Sequence, residues 1–293
     1  MTPTPLTPDL LAGWPLPAPP PGSDKDARGR ALVVAGGAQT PGAAVLAGIA
    51  ALRAGAGKLQ MAAATPWAQA LAFALPEARV VPVAATAEGE IAAGAARTLN
   101  KLAARSDAVV VGPGMMDDAV ACPLAARMVA AAPLAAFVLD AGAVTGLAPL
   151  LTRLAGKGEQ LVLTPHAGEM AAVLEIDKDR VLADPIDAGR RLSDALGAVV
   201  VMKGQVTHIL APDRCWVHEG GVEGLGTSGS GDVLAGLIGG LLARGAAPAQ
   251  AACWGVAIHG AAGRRLSGTV GPLGFLAREI AGEVPRLLHD WAR

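Results

Sequence analysis

The chain has 293 residues, 52% of them hydrophobic and 17% charged, which is enough apolar material for one large α/β domain or two small ones. With 24 Lys and Arg against 25 Asp and Glu the formal charge is -1, so the basic field that nucleic-acid binding requires is absent. No Tyr and only 3% aromatics leave base-stacking surfaces poorly supplied.

Eight of the 22 prolines fall between Pro3 and Pro21, marking an extended arm over residues 1–28 ahead of a single domain expected over residues 29–293. The arm has no basic stretch followed by a continuous apolar run, so neither a signal peptide nor a membrane anchor is expected. Elsewhere the Ala- and Gly-rich apolar stretches are broken by Pro, Arg, Asp or Glu before they reach a spanning length. Leu10, Leu11, Trp14 and Leu16 are costly to leave in water, so the arm is either a loose tail or packs on a neighbouring subunit, and a homo-oligomer is expected. Cys122, Cys215 and Cys253 are widely spaced and form no CxxC pair, which argues against disulfides and thiolate zinc and for a reducing, cytoplasmic setting.

From Ala31 short apolar runs alternate with longer helical stretches: ALVVAGG, a helix over residues 42–56, KLQMAA, then DAVVVGPG, AAFVLDAG, QLVLTPH and AVVVMKG. Buried strands alternating with helices predict a mostly parallel sheet covered on both faces. After Lys203 the segments VTHILAP and CWVHEG read as an antiparallel pair, and the remainder as helix. There, Val233, Leu234, Leu237, Ile238, Leu241 and Leu242 recur at helical spacing, and Gly236, Gly239 and Gly240 permit close approach by a neighbour.

The segment GLGTSGSGDVLAG, residues 224–236, carries the clearest chemistry. Its glycines open a turn whose N–H groups face outward just as a helix begins, which suits a phosphate. Asp232 stands in the first helical turn, where the helix dipole is expected to keep it ionised, as a phosphoryl-transfer base requires. A plain glycine-rich connection with a capping Asp fits the same letters. The literal GxGxxG match lacks a following strand with an acidic end, and the run Gly37 to Gly42 has Ala43 and Ala44 where a phosphate loop needs Lys and Ser or Thr.

LTPHAGEM, residues 163–170, ends a strand and opens a helix, putting Thr164, His166 and Glu169 at the carboxyl edge of the sheet, where α/β ligands bind. His166 can orient a substrate hydroxyl. Glu169 can hold a magnesium-bound water or simply start the helix. VMKGQVT, residues 201–207, sets Lys203 at another strand end, able to meet a phosphate or be solvated. GPGMM, residues 112–116, and DAGAV, residues 140–144, end strands with small residues that leave room for a ligand. His208, His218, His259 and His289 are scattered singly and read as packing or surface residues.

With these motifs in this order, running through nearly the whole chain and including SDKDARG and PGAAVLAGIAALRAGAG, the sequence resembles the ADP/ATP-dependent NAD(P)H-hydrate dehydratases of the ribokinase-like superfamily. The resemblance implies an α/β fold, a ribokinase-like three-layer αβα sandwich with a mostly parallel central sheet. It implies that Ala43, Gly112, Gly114 and His166 touch the hydrated dinucleotide, NADHX or NADPHX. Lys203, Gly204, Gln205, Val206, Thr207 and Gly231 would line the adenine nucleotide site, with Asp232 as base and Gly229 and Gly231 holding the transferred charge. Magnesium and ADP, or ATP, are the implied cofactor and co-substrate, and Glu169 the implied contact to metal through water. Two departures stand out: Met115 and Met116 follow GPG where the family has a further glycine, and Gln39 and Thr40 precede PGA where an aromatic is common. The region ahead of Gly29 is too short for the epimerase domain fused to some members, so an epimerase is expected as a separate protein. The implied reaction phosphorylates the C6 hydroxyl of the hydrated ring, after which phosphate is expelled and NAD(P)H restored. Alternatives are a ribokinase-like kinase for a small alcohol, such as a thiazole or pyrimidine vitamin precursor, and a non-catalytic nucleotide-binding sensor.

Overall fold

A computed structural model describes residues 2–291. Its centre is a ten-stranded sheet of β1 (Thr4–Pro5), β2 (Arg30–Val34), β3 (Lys58–Ala64), β4 (Arg79–Val83), β5 (Ala108–Val111), β6 (Ala136–Leu139), β7 (Leu161–Leu163), β8 (Val199–Met202), β9 (Thr207–Ala211) and β10 (Arg214–His218). The spatial order is β1-β10-β9-β8-β7-β6-β5-β2-β3-β4. All neighbours pair in parallel except β8 with β9 and β9 with β10, the antiparallel turn-back expected after Lys203.

The parallel strands are apolar on both sides because helices cover both faces. Val33, Val110, Val138 and Val162 point into one buried layer with the helices Gly42–Arg53, Ser230–Ala243, Pro248–Thr269 and Ala277–Trp291. Val34, Val111, Leu139 and Leu163 point into the other, against Ala96–Ala103, Asp118–Ala131, Ala167–Leu174 and Pro185–Leu196. The result is the three-layer αβα sandwich. Among the described residues no helix is long and apolar enough to cross a membrane.

Two strands have no counterpart in the sequence reading. β4 contains Pro82 and is half exposed, a composition that suits only an edge, and it pairs on one side alone. β1 is two residues of the arm laid parallel to β10. The cover for the arm's apolar residues comes from its own chain: Leu11 is fully buried, and Trp14 stacks on Trp216 at 5.9 Å between ring centres. Trp254 Nε1 and Gln250 Nε2 donate to the Trp14 carbonyl, and Arg244 donates to the Pro17 carbonyl.

The helix Ser230–Ala243 is buried nearly all round rather than along one stripe. A Cβ on Gly236 or Gly240 would fall 2.1 Å from the Ala47 carbonyl oxygen or 2.3 Å from that of Ala51, and one on Gly239 would strike Val110. Glycine at these three positions lets the helix sit against both the Gly42–Arg53 helix and the sheet.

Candidate active site

Strand order reverses between β5 and β2, so the connections leaving these two strands diverge and open a crevice at the carboxyl edge. The loops meet there. Thr40 Oγ1 donates to the Gly114 carbonyl (2.7 Å), and the Gly36 N–H donates to that of Pro113 (2.7 Å). Gly112 has φ 116°, and a Cβ on it would lie 1.8 Å from the Asp140 carbonyl oxygen; one on Gly114 would lie 2.5 Å from Ala43 Cβ. Ala43, Gly112 and Gly114 are thus brought together as a tightly packed floor.

Moving along the edge, β6 ends just before Asp140, β7 leads to Thr164 and His166, and β8 ends before Lys203. The Lys203 N–H donates to the Pro165 carbonyl (2.8 Å), zipping the last two strand ends together. Lys203 Nζ donates to Asp140 Oδ1 (2.8 Å), which also accepts from Thr164 Oγ1 (2.7 Å), and lies 3.8 Å from Glu169 Oε2. Burial works against the ammonium, but the Asp140 and Glu169 carboxylates outweigh it and hold the Lys203 pKa above its ordinary value. The lysine expected to meet phosphate is therefore also the counter-charge of a carboxylate group.

His166 and Glu169 form a capping box at the start of Ala167–Leu174. Glu169 Oε2 accepts from the His166 N–H (2.7 Å), while His166 Nδ1 accepts from the N–H groups of Gly168 (3.0 Å) and Glu169 (3.2 Å). Those bonds put the ring proton on Nε2, whose side faces solvent and Glu169 Oε1 at 3.5 Å. With Asp140 and Glu169 committed to Lys203 and the backbone, no three His, Cys, Asp or Glu side chains among the described residues converge as a metal-holding group. Among the described residues, magnesium would therefore be held chiefly by the nucleotide phosphates and water.

Gly229, at φ 87°, turns the chain into the Ser230–Ala243 helix, and the N–H groups of Gly231 and Asp232 stand in the first turn with no helical carbonyl four residues back. A Cβ on Gly231 would sit 3.4 Å from Lys203 Nζ, so the helix start and the lysine bound one space. Asp232 differs from expectation in one respect. Burial, then the nearby Asp140 carboxylate, with Glu169 adding and Lys203 opposing, push its pKa up to about 6. The helix dipole does not hold it in the ordinary carboxylate range; a base close to neutrality results, which suits proton transfer better.

Two cavities meet at His166. The larger, about 740 Å³, is lined by Lys203, Gly204, Gln205, Thr207, Ser230 and Gly231 among others; the smaller, about 290 Å³, by Met115, Met116, Ala141 and Glu169. Of the expected nucleotide residues, Val206 alone is outside the lining and turned outward, 41% exposed. Met115 and Met116 occupy the wall of the smaller cavity, where the departure from the family pattern was noted.

From the sequence Asp140 has no role of its own within DAGAV, and His218 and His259 read as packing or surface residues. Asp140 had a usable signal, a charged residue directly after the apolar run AFVL, as Lys203 has after VVVM. Its turn is strained: Ala141 has φ 44°, ψ -122° at the second position of an Asp140–Ala143 turn, a conformation that favours glycine. His218 and His259 line the larger cavity, and burial pushes both pKa values down to about 4, so both are neutral.

A family model described as NAD(P)H-hydrate dehydratase matches residues 31–286. The ADP-dependent (S)-NAD(P)H-hydrate dehydratase of Xanthomonas campestris is 49% identical over 98% of this chain and 97% of its own length. The bifunctional NAD(P)H-hydrate repair enzyme of Moorella thermoacetica is 33% identical over 96% of this chain, which spans 54% of that longer protein. Among solved structures, the ADP/ATP-dependent NAD(P)H-hydrate dehydratase of Bacillus subtilis, co-crystallized with ATP and magnesium, superposes with a TM-score of 0.82 at 26% identity over 99% of each chain.

Proposed function

The chain belongs to the NAD(P)H-hydrate dehydratase family, and from that membership we infer that it is an ADP-dependent (S)-NAD(P)H-hydrate dehydratase, a hydro-lyase that restores NADH and NADPH from their hydrates. The observation that carries this reading is the position of Asp232: at the start of a helix whose free N–H groups border Lys203, beside a crevice whose two cavities meet at His166.

The nucleotide occupies the larger cavity, held by Lys203, Gly204, Gln205, Thr207 and Gly231, with Val206 contributing through its backbone. The hydrated ring enters the smaller cavity, whose wall at Met115 follows directly on Gly114, with His166 Nε2–H as a donor to it; Ala43, Gly112 and Gly114 lie outside the lining and back that wall. Asp232 takes the proton of the C6 hydroxyl as its oxygen attacks the terminal phosphorus of ADP; the P–O bond to AMP breaks, and the N–H groups at Gly229 to Gly231 meet the transferred charge. The ring nitrogen's electron pair then expels phosphate from C6, and loss of the neighbouring proton restores the dihydronicotinamide. The sum is hydrate plus ADP giving NAD(P)H, AMP and inorganic phosphate. Magnesium, bound with the nucleotide, would neutralise phosphate charge, and Glu169 would be the residue to hold it, through water. The three unpaired, buried cysteines suit a reducing cytoplasm.

Incubation with hydrated NADH and either ADP or ATP tests the reading. One phosphate and one dihydronicotinamide per nucleotide cleaved supports it. Nucleotide consumption without either signal identifies a small-alcohol kinase, and no consumption with any nucleotide identifies a sensor.

A further inference from the structure

Ser230 lies between the two glycines of the turn and is 94% buried, yet it lines the larger cavity. Its N–H donates to the Thr227 carbonyl (3.2 Å), which fixes the main chain of the turn. Across from it, on the Pro248–Thr269 helix, His259 presents Nε2 at 3.1 Å from Ser230 Oγ and 3.1 Å from the Ser230 carbonyl oxygen. A carbonyl oxygen only accepts, so the proton of this neutral imidazole is on Nε2, and that one N–H is shared between the two Ser230 oxygens. The hydroxyl oxygen is thereby the acceptor, and its own hydrogen is left to donate. Among the described residues His259 is the one hydrogen-bond partner of this hydroxyl. The cavity that Ser230 lines is lined as well by Lys203, Gly231 and His259, and a Cβ on Gly231 would sit 3.4 Å from Lys203 Nζ.

We propose that the Ser230 hydroxyl donates a hydrogen bond to the phosphoryl group in transfer, and that His259 is the positioning residue that keeps it oriented as a donor. The inference rests on the placement of phosphoryl transfer at this turn. It adds a side-chain donor to the backbone N–H groups and a function to a histidine that neither the motif nor the family pattern marks. His259 acts on the oxygen geometry alone, and being neutral it adds no charge to the site.

The test uses full-length protein and variants that leave Asp232 and Lys203 intact. Removing one donor to a developing oxyanion costs roughly 10²–10³-fold in kcat, so Ser230→Ala should lose about 10²-fold in kcat with nucleotide affinity changed less than about threefold. Ser230→Thr, which keeps the hydroxyl, should recover most of the loss. His259→Ala should fall in the same direction, His259→Gln should recover part of it, and in the Ser230→Ala background His259→Ala should add little. Calorimetric titration of AMP with and without aluminium fluoride supplies a readout that does not depend on which alcohol is the substrate. The fluoride complex should tighten AMP binding in the wild type and lose that effect in Ser230→Ala, with AMP alone unchanged. Equal fluoride effects in both proteins, or Thr failing to rescue in a variant with an unchanged Tm, overturns the proposal; full additivity of the two alanine substitutions assigns His259 to folding alone and overturns its part. Failure of the wild type to restore dihydronicotinamide would count against the dehydratase reading, and the fluoride comparison would then decide the role of Ser230 by itself.

Discussion

Lowering the pH from 7 to 5 should cost this enzyme about tenfold in turnover, and the cause should be a single group. With its pKa pushed up to about 6 by burial and by Asp140, Asp232 is about 90% ionised at pH 7 and about 10% at pH 5, whereas a carboxylate in the ordinary range loses almost nothing over that interval. Initial rates read by AMP formation avoid the acid lability of the dihydronicotinamide product. Because a terminal nucleotide phosphate also titrates at about pH 6, the decisive comparison is with Asp140→Asn. That variant removes a carboxylate that raises the Asp232 pKa and frees Lys203, which lowers it, so both effects move the acid limb downward, by about one pH unit. Substrate ionisation is the same in both proteins and moves neither curve. A flat wild-type profile between pH 5 and 7, or superimposable limbs in wild type and Asp140→Asn, would refute the argument that Asp232 is the base and that the carboxylate group tunes it.

Asp232→Asn should abolish turnover, a loss of about 10²–10⁴-fold, while nucleotide affinity changes little. The same variant should be more stable than wild type at neutral pH, because the folded pKa lies above the unfolded one and the ionised carboxylate is penalised only in the fold. The gain, at most about 3 kcal/mol, should be full above about pH 6 and vanish below about pH 4, read as Tm against pH. Lys203→Ala should weaken nucleotide binding more than hydrate binding in paired titrations, and should lower Tm, since it leaves Asp140 and Glu169 without their counter-charge. Ala141→Gly should raise Tm by relieving φ 44°, for a net gain of about 1 kcal/mol after the entropy of an added glycine, with kcat lowered if the strained turn is what aims Asp140; a fall in Tm would show the turn to be unstrained.

The parallel core is legible because each of its strands is a short apolar run ended by Gly, Pro or a charged residue, and such runs have few other ways to satisfy their backbone. β4 is hidden by Pro82, which only an edge position excuses, and an edge is a property of the sheet rather than of the segment. The helix expected over residues 42–56 ends at Arg53, because Gly55 at φ 103° turns the chain sooner into β3. At the site, strand-end residues such as His166 and Lys203 and the glycine turn before Asp232 are readable from local context. His259 is not: it sits within the apolar run GVAIHGAAG, 29 residues after Ser230, and only the crossing of two helices brings them together. The Asp232 pKa is hidden for the same reason, since the dipole of its own helix is local and visible whereas burial and Asp140, just past the end of β6 and 92 positions earlier, are not.

The placement of the two helix starts at the carboxyl edge follows from the same long-range packing. Ala43 lies in the first turn of one helix and Ser230 begins another, and the close approach allowed by Gly236 and Gly240 locks the second helix to the backbone of the first at Ala47 and Ala51. Gly239 seats it on Val110 of β5, the strand that leads into Gly112 and Gly114. The start of the Ser230–Ala243 helix is therefore fixed relative to the Gly42–Arg53 helix by backbone contacts at Ala47 and Ala51, and relative to β5 by the buried, short side chain of Val110. A base that must meet one hydroxyl in line with a bound phosphorus needs that rigidity, because an error of about an ångström in such a geometry can cost on the order of 10²-fold in rate. The glycines that read in the sequence as room for a neighbour thus fix where the helix carrying Asp232 begins, which the proposed role of Asp232 as base requires.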